Sequence, residues 1–127
     1  MVRIHIRVPV YPTEDAEKVV VAVSNIFPDA VLTFEDENLL SGSARNLEKF
    51  ATIIKNARIR DTVRAELYRN LKGNKTSFQL NKQAAYAGTV SFSIGEPLGE
   101  ICVEIEDEDL VKLIDQIAPD TRELNNP

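Results

Sequence analysis

Four side chains on one predicted helix have types and spacing suited to chemistry. Arg64, Tyr68 and Lys72 stand at i, i+4 and i+8, and Arg60 lies one turn before Arg64. Cations flanking a ring suit nucleic acid, because the cations meet phosphates and the ring stacks on a base. The plainer account is a solvated helix face, since Lys and Arg are good helix formers and Tyr68 borders an apolar stripe. Lys75 and Lys82 follow, so further cations are available to the same anion. Asn81-Lys82-Gln83 adds amides that both donate and accept, as reading an RNA base or a 2′-hydroxyl requires. Against that, a strand end often uses such amides to satisfy its own backbone.

Other chemistry is poorly supplied. His5 is the only histidine and Cys102 the only cysteine, so one chain cannot assemble a tetrahedral zinc site. No histidine is placed by sequence to activate Cys102, and no Ser-His-Asp arrangement has a base other than His5. The acids Glu104, Glu106, Asp107, Glu108 and Asp109 lack the ligand positions and glycine turn of a calcium loop. Gly95 to Gly99 lacks the Gly-Lys-Ser/Thr end of a phosphate loop. No metal, cofactor or catalytic residue is expected.

Charge is sorted along the chain. Arg45 to Lys82 holds ten cations (Arg45, Lys49, Lys55, Arg58, Arg60, Arg64, Arg69, Lys72, Lys75 and Lys82) against Glu48, Asp61 and Glu66, a local +7. The other 89 residues hold five cations and 17 acids, a balance of −12, so the whole chain is −5. Overall acidity excludes a protein that coats nucleic acid on every side. It permits one basic face, because screening removes distant charges beyond about 8–10 Å.

The elements that must position these residues follow from periodicity. Val2 to Val10 alternate as a half-buried strand with Arg3, His5 and Arg7 on the polar side. Thr13 is the expected N-cap of a helix that ends at Pro28, with Ala16, Val19, Val20, Val23, Ile26 and Phe27 inward. Residues 30–35 and 39–44 read as strands. A second helix is expected over 45–55, with Leu47, Phe50, Ile53 and Ile54 inward. A third spans 60–72 around Val63, Leu67 and Leu71, and stops at Gly73-Asn74. Residues 78–80, 90–94 and 101–105 alternate as strands, while 81–88 carry no assignable period. Asp107 is the expected cap of a last helix that ends at Pro119.

At 127 residues the chain is one domain by size, able to bury roughly two-thirds of its unfolded surface. The order of elements predicts an α+β fold: a two-layer domain with a largely antiparallel sheet and helices packed on one face. Its other face would be polar and open, or covered by a second copy. Residues 1–119 form the domain and 120–127 a loose tail. A membrane span and a secretory leader are not expected, and a lone cysteine fits a cytoplasmic protein.

Several segments together carry a resemblance. They are Val10-Tyr11-Pro12-Thr13-Glu14-Asp15, Asn25-Ile26-Phe27-Pro28, Leu80-Asn81-Lys82-Gln83-Ala84-Ala85 with Gly88, Pro97-Leu98-Gly99 before Ile101-Cys102-Val103, and Leu113-Ile114-Asp115-Gln116-Ile117-Ala118-Pro119. With these the chain resembles an archaeal family of small uncharacterised proteins predicted to bind RNA. The resemblance spans residues 2–119, and Leu80 to Ala85 is its most specific part. It implies a fold like the five-S-RNA-binding ribosomal protein of the large subunit and like double-stranded-RNA-binding domains. It supplies no catalytic residue.

The expectation is therefore a non-catalytic RNA-binding domain that recognises structured RNA through a basic face. Arg60, Arg64, Lys72, Lys75 and Lys82 would meet phosphates, with Tyr68, Asn81 and Gln83 as secondary contacts. The alternative is a structural or adaptor protein acting through a homodimer or a protein partner.

Overall fold

Alternation in the opening segment produces the central strand of the molecule. A computed structural model describes residues 1–92 and 100–120. Its elements are β1 (Arg3–Pro9), α1 (Ala16–Ile26), β2 (Val31–Asp36), β3 (Leu39–Ala44), α2 (Glu48–Asn56), α3 (Arg60–Arg69), β4 (Lys75–Leu80), α4 (Lys82–Tyr86), β5 (Ile101–Glu106) and α5 (Leu110–Ile117). The five strands form one sheet in the order β2-β3-β1-β5-β4, and every pairing is antiparallel.

A period of two puts Ile4, Ile6 and Val8 on one face, where they are wholly buried, and Arg3, His5 and Arg7 on the other, where they are exposed. Register carries that division across the sheet. Ile6 faces Val103, which faces Phe78; His5 faces Glu104, which faces Ser77. The apolar face is covered by helices. Val23 and Ile26 of α1, Phe50 and Ile54 of α2, Val63 and Leu67 of α3, and Leu110 and Ile114 of α5 join the strand residues in one core. Phe27, Phe50 and Phe78 stack with centroids 5.9 and 5.6 Å apart, which links α1, α2 and the sheet. The fold is the α+β, two-layer arrangement that the alternation predicts.

Several boundaries differ from the sequence expectation, each for a local reason. Asp15, not Thr13, caps α1, because its carboxylate accepts the Glu17 N–H at 2.9 Å. Val20 is exposed, and Ala22 takes the inward place. α2 starts at Glu48: the Arg45 N–H is held by the Asp29 carboxylate at 2.8 Å, so the chain is still turning there. α3 stops at Arg69. Lys72 instead pairs with Lys75 across a tight turn in which Gly73 has φ 58°. The unassigned stretch is the short helix α4, capped by Asn81, whose side chain accepts the Ala84 N–H at 2.9 Å. α5 is capped by Asp109 rather than Asp107; the Asp107 carboxylate holds the Asp109 N–H at 2.8 Å. Of the expected strand over 90–94, Phe92 bridges to Leu80, and its last two residues lie outside the described ones. The expected turn at 95–99 and residues 121–127 of the expected tail also lie outside them.

Gly42 admits β2 to the sheet. A Cβ there would lie 1.8 Å from the Val31 carbonyl oxygen, so any larger residue displaces the edge strand.

Candidate functional site

α3 positions the predicted row of cations, and its packing decides what they do. Val63 and Leu67 face the core, which turns Arg64 and Tyr68 toward α5. The Arg64 guanidinium donates to the Asp115 carboxylate at 2.6 Å and to the Ala118 carbonyl at 3.0 Å, and its centre lies 4.9 Å from the centroid of the Tyr68 ring. The Tyr68 hydroxyl donates to the same carboxylate at 3.3 Å. Burial and the Asp115 charge push the Tyr68 phenol up from its ordinary value. Both side chains thus pin α3 to the C-terminal end of α5. Lys72 lies beyond the helix and is exposed, so the row does not continue to it.

The Asn81-Lys82-Gln83 segment is divided among three tasks. Asn81 caps α4, as noted. The Lys82 side chain is 12% exposed, and its ammonium donates to the Pro9 carbonyl at 2.5 Å and to the Glu14 carboxylate at 2.9 Å. It also lies 5.2 Å from the centroid of the Tyr11 ring. Burial alone would raise the Glu14 carboxyl, but the Lys82 ammonium and the Tyr11 N–H outweigh it and hold the group below its ordinary value. Only Gln83 is exposed, beside a groove of about 390 Å³ that Thr13, Asp15, Lys18 and Tyr86 also line.

Lys75 sits on the open sheet face, 3.3 Å from Glu106 and 3.9 Å from Glu104. That face carries other opposed charges. Arg3 pairs with Glu106, and Arg7 with Glu35 at 3.2 Å. A groove of about 490 Å³ runs over it, lined by His5, Arg7, Ser77, Gln79, Cys102 and Glu104 among others. The Cys102 thiol is pushed up, chiefly by desolvation, which favours its uncharged form. Among the described residues, no group of three or more His, Cys, Asp or Glu side chains could hold a metal ion. None of their helices is long and apolar enough to cross a membrane.

The predicted residues therefore fall in different places. Arg64 and Tyr68 share one clamp; Lys75 lies on the sheet; Asn81, Lys82 and Gln83 lie at α4. Arg60, half-buried at the start of α3, and exposed Lys72 have no carboxylate partner among the described residues. A pattern that spacing alone did not expose appears when pairing is considered. Among the described cations, Arg3, Arg7, Arg64, Arg69, Lys75 and Lys82 form ion pairs. Lys18, Arg45, Lys49, Lys55, Arg58, Arg60, Lys72 and Lys112 form none, and six of these eight lie between Arg45 and Lys72. One sequence signal marks four of them, Lys49, Lys55, Arg58 and Arg60: no acid occurs between Glu48 and Asp61.

Comparison with known proteins gives concordant matches. A family model described as RNA binding matches residues 3–108. A UPF0201 protein of Methanocaldococcus jannaschii is 43% identical over 124 residues, covering 92% of this chain and 72% of its own. A UPF0201 protein of Methanothermobacter thermautotrophicus is 42% identical over 127 residues, covering 94% of this chain and 93% of its own. A crystal structure of a UPF0201 protein matches with a TM-score of 0.88 at 32% identity, over 93% of this chain and 94% of that one.

Proposed function

The chain belongs to the RNA-binding family whose model it matches, together with archaeal UPF0201 proteins, and from that premise we propose that it binds structured RNA, without catalysis, through cations of its helical layer. The observation that carries this reading is that six cations between Arg45 and Lys72 (Arg45, Lys49, Lys55, Arg58, Arg60 and Lys72) form no ion pair among the described residues. A cation already held by a carboxylate gains little from a phosphate, because the exchange costs one ion pair for another. Among the described residues, Lys49, Lys55, Arg58, Arg60 and Lys72 have no such exchange to make.

Arg60 and Lys72 of the expected set are the phosphate contacts in this reading, joined by Lys49, Lys55 and Arg58. Arg64 and Lys82 hold the helices in place, and Lys75 belongs to the sheet face. Tyr68 is committed to Arg64 and Asp115, so base stacking by α3 is not invoked. The reading is recognition by shape and phosphate rather than by sequence. A core that runs from Ile4 to Ala118 supports a single domain over residues 1–119, and the lone Cys102 fits a cytoplasmic setting.

Fluorescence anisotropy with a duplex and a single-stranded RNA across salt concentrations tests the proposal. Contact with about four phosphates gives a log–log slope of about −3.6 for the duplex. Negligible binding at low salt, or binding indifferent to salt, would overturn it.

A second reading has one observation in its favour. β2 is an edge strand, and its Val31 and Phe34 are 69% and 54% exposed. Pairing with a second copy would cover them. Light scattering decides it: a monomer at all concentrations removes this reading.

A further inference from the structure

The corner between α2 and α3 holds a conformation that its own residue disfavours. Residues 49–60 contain Lys49, Lys55, Arg58 and Arg60 and no carboxylate. α2 ends in a double-bonded turn: the Arg58 N–H donates to the Lys55 carbonyl at 3.1 Å, and the Ile59 N–H donates to the Ile54 carbonyl at 3.0 Å. Such a turn requires a left-handed residue at the position of Arg58, which glycine fills without a Cβ clash. Arg58 has φ 60°, and the other positive values among the described residues belong to Gly73 and Gly88.

A cation suits the C-terminal end of α2, but Lys55 already supplies one in the last turn, so the helix dipole does not require an arginine at the left-handed position. Arg58 is exposed and makes no side-chain hydrogen bond or ion pair among the described residues. Ile59, the next residue, packs on the core and fixes the corner. The backbone bond from Arg58 to the Lys55 carbonyl holds these two residues in one turn, and Arg60 is two residues on. Asp61, the nearest acid along the chain, is itself engaged in a contact.

We propose that Lys55, Arg58 and Arg60 form a phosphate-binding bracket at this corner, and that arginine occupies the left-handed position because its guanidinium contacts a phosphate. A planar guanidinium offers two parallel donors to a phosphate, which a glycine cannot. The ligand chemistry is a chain of phosphates. Its natural form as an RNA backbone rests on the function proposed above, whereas the bracket does not.

Two probes separate the claims: ¹⁵N chemical-shift titration with inorganic tripolyphosphate, and anisotropy with duplex RNA, each on wild type and Arg58→Gly. The expected result is tripolyphosphate shifts at residues 55–60 of the wild type that disappear in the variant. The variant also melts at a higher temperature, since glycine suits the turn. Its RNA affinity drops roughly eightfold at 0.1 M salt and its salt slope becomes shallower by about one, the share of one phosphate. Equal binding of both polyanions by Arg58→Gly and wild type would overturn the bracket. RNA binding by the wild type without any shift at the corner would overturn it too, and leave the RNA reading standing. Tripolyphosphate shifts at the corner without RNA binding would support the bracket and overturn the RNA reading.

Discussion

The open sheet face and the α2–α3 corner both carry cations, and among the described residues those of the sheet face are paired while those of the corner are not. On the sheet, antiparallel register sets Arg3 and Lys75 on either side of Glu106, and sets His5 and Ser77 on either side of Glu104. Opposite charges on facing positions of neighbouring strands neutralise one another at short range. At the corner, the chain runs from Lys49 to Arg60 without an acid, and no carboxylate from another element pairs with its cations among the described residues. The difference teaches that a count of lysines and arginines does not predict an anion site. The fold decides which charges remain available.

This contrast can be broken or sharpened by substitution. The largest effect is expected from Lys55→Glu/Arg60→Glu. RNA affinity should fall about a hundredfold at 0.1 M salt, through two lost phosphate contacts and added repulsion, while the melting temperature moves little; anisotropy and thermal unfolding report both. A smaller but opposite pattern is expected for Lys82→Met. It removes the Lys82 donor from the Pro9 carbonyl and leaves the Glu14 carboxylate with the Tyr11 N–H, at a cost of about 2 kcal/mol in stability, and RNA affinity should hold within about threefold.

The same pair fixes a pH dependence. The Glu14 carboxyl is held below its ordinary value of 4.5, so the stability it contributes is fully present above that value. It is lost as pH falls through the lower, folded value. Urea unfolding of the wild type between pH 6 and 3 should therefore show a decline that Lys82→Met lacks in part. Arg64→Ala comes next, with a cost of about 1–2 kcal/mol for the tie between α3 and α5; retention of wild-type stability would show the clamp to be inert. Lys75→Ala should cost the least, about 0–1 kcal/mol, as exposed pairs do, and a larger loss in chemical denaturation would contradict the account of the sheet face.

Much of the fold was legible because it obeys short periods. Alternation from Arg3 to Pro9 and from Ile101 to Glu106 defines the central strand and one of its neighbours, and the Val63–Leu67 stripe defines the buried side of α3. The site was harder to read. Arg64 is claimed by Asp115, 51 residues away, and Lys82 by Glu14, 68 residues away; no local pattern reveals either pairing. α4 has five residues, too few to display a helical period. Arg58 was invisible as a special position because the usual sign of a left-handed turn, a glycine, is missing there.

The most direct test removes two charges from each region. RNA affinity would be measured against salt for Lys55→Gln/Arg60→Gln and for Arg3→Gln/Lys75→Gln, two proteins of identical net charge. The corner variant should lose about fiftyfold in affinity at 0.1 M salt and about two units of salt slope, while the sheet variant stays within about threefold of wild type. Equal losses in the two proteins, or a greater loss in the sheet variant, would contradict the assignment of RNA binding to the helical corner.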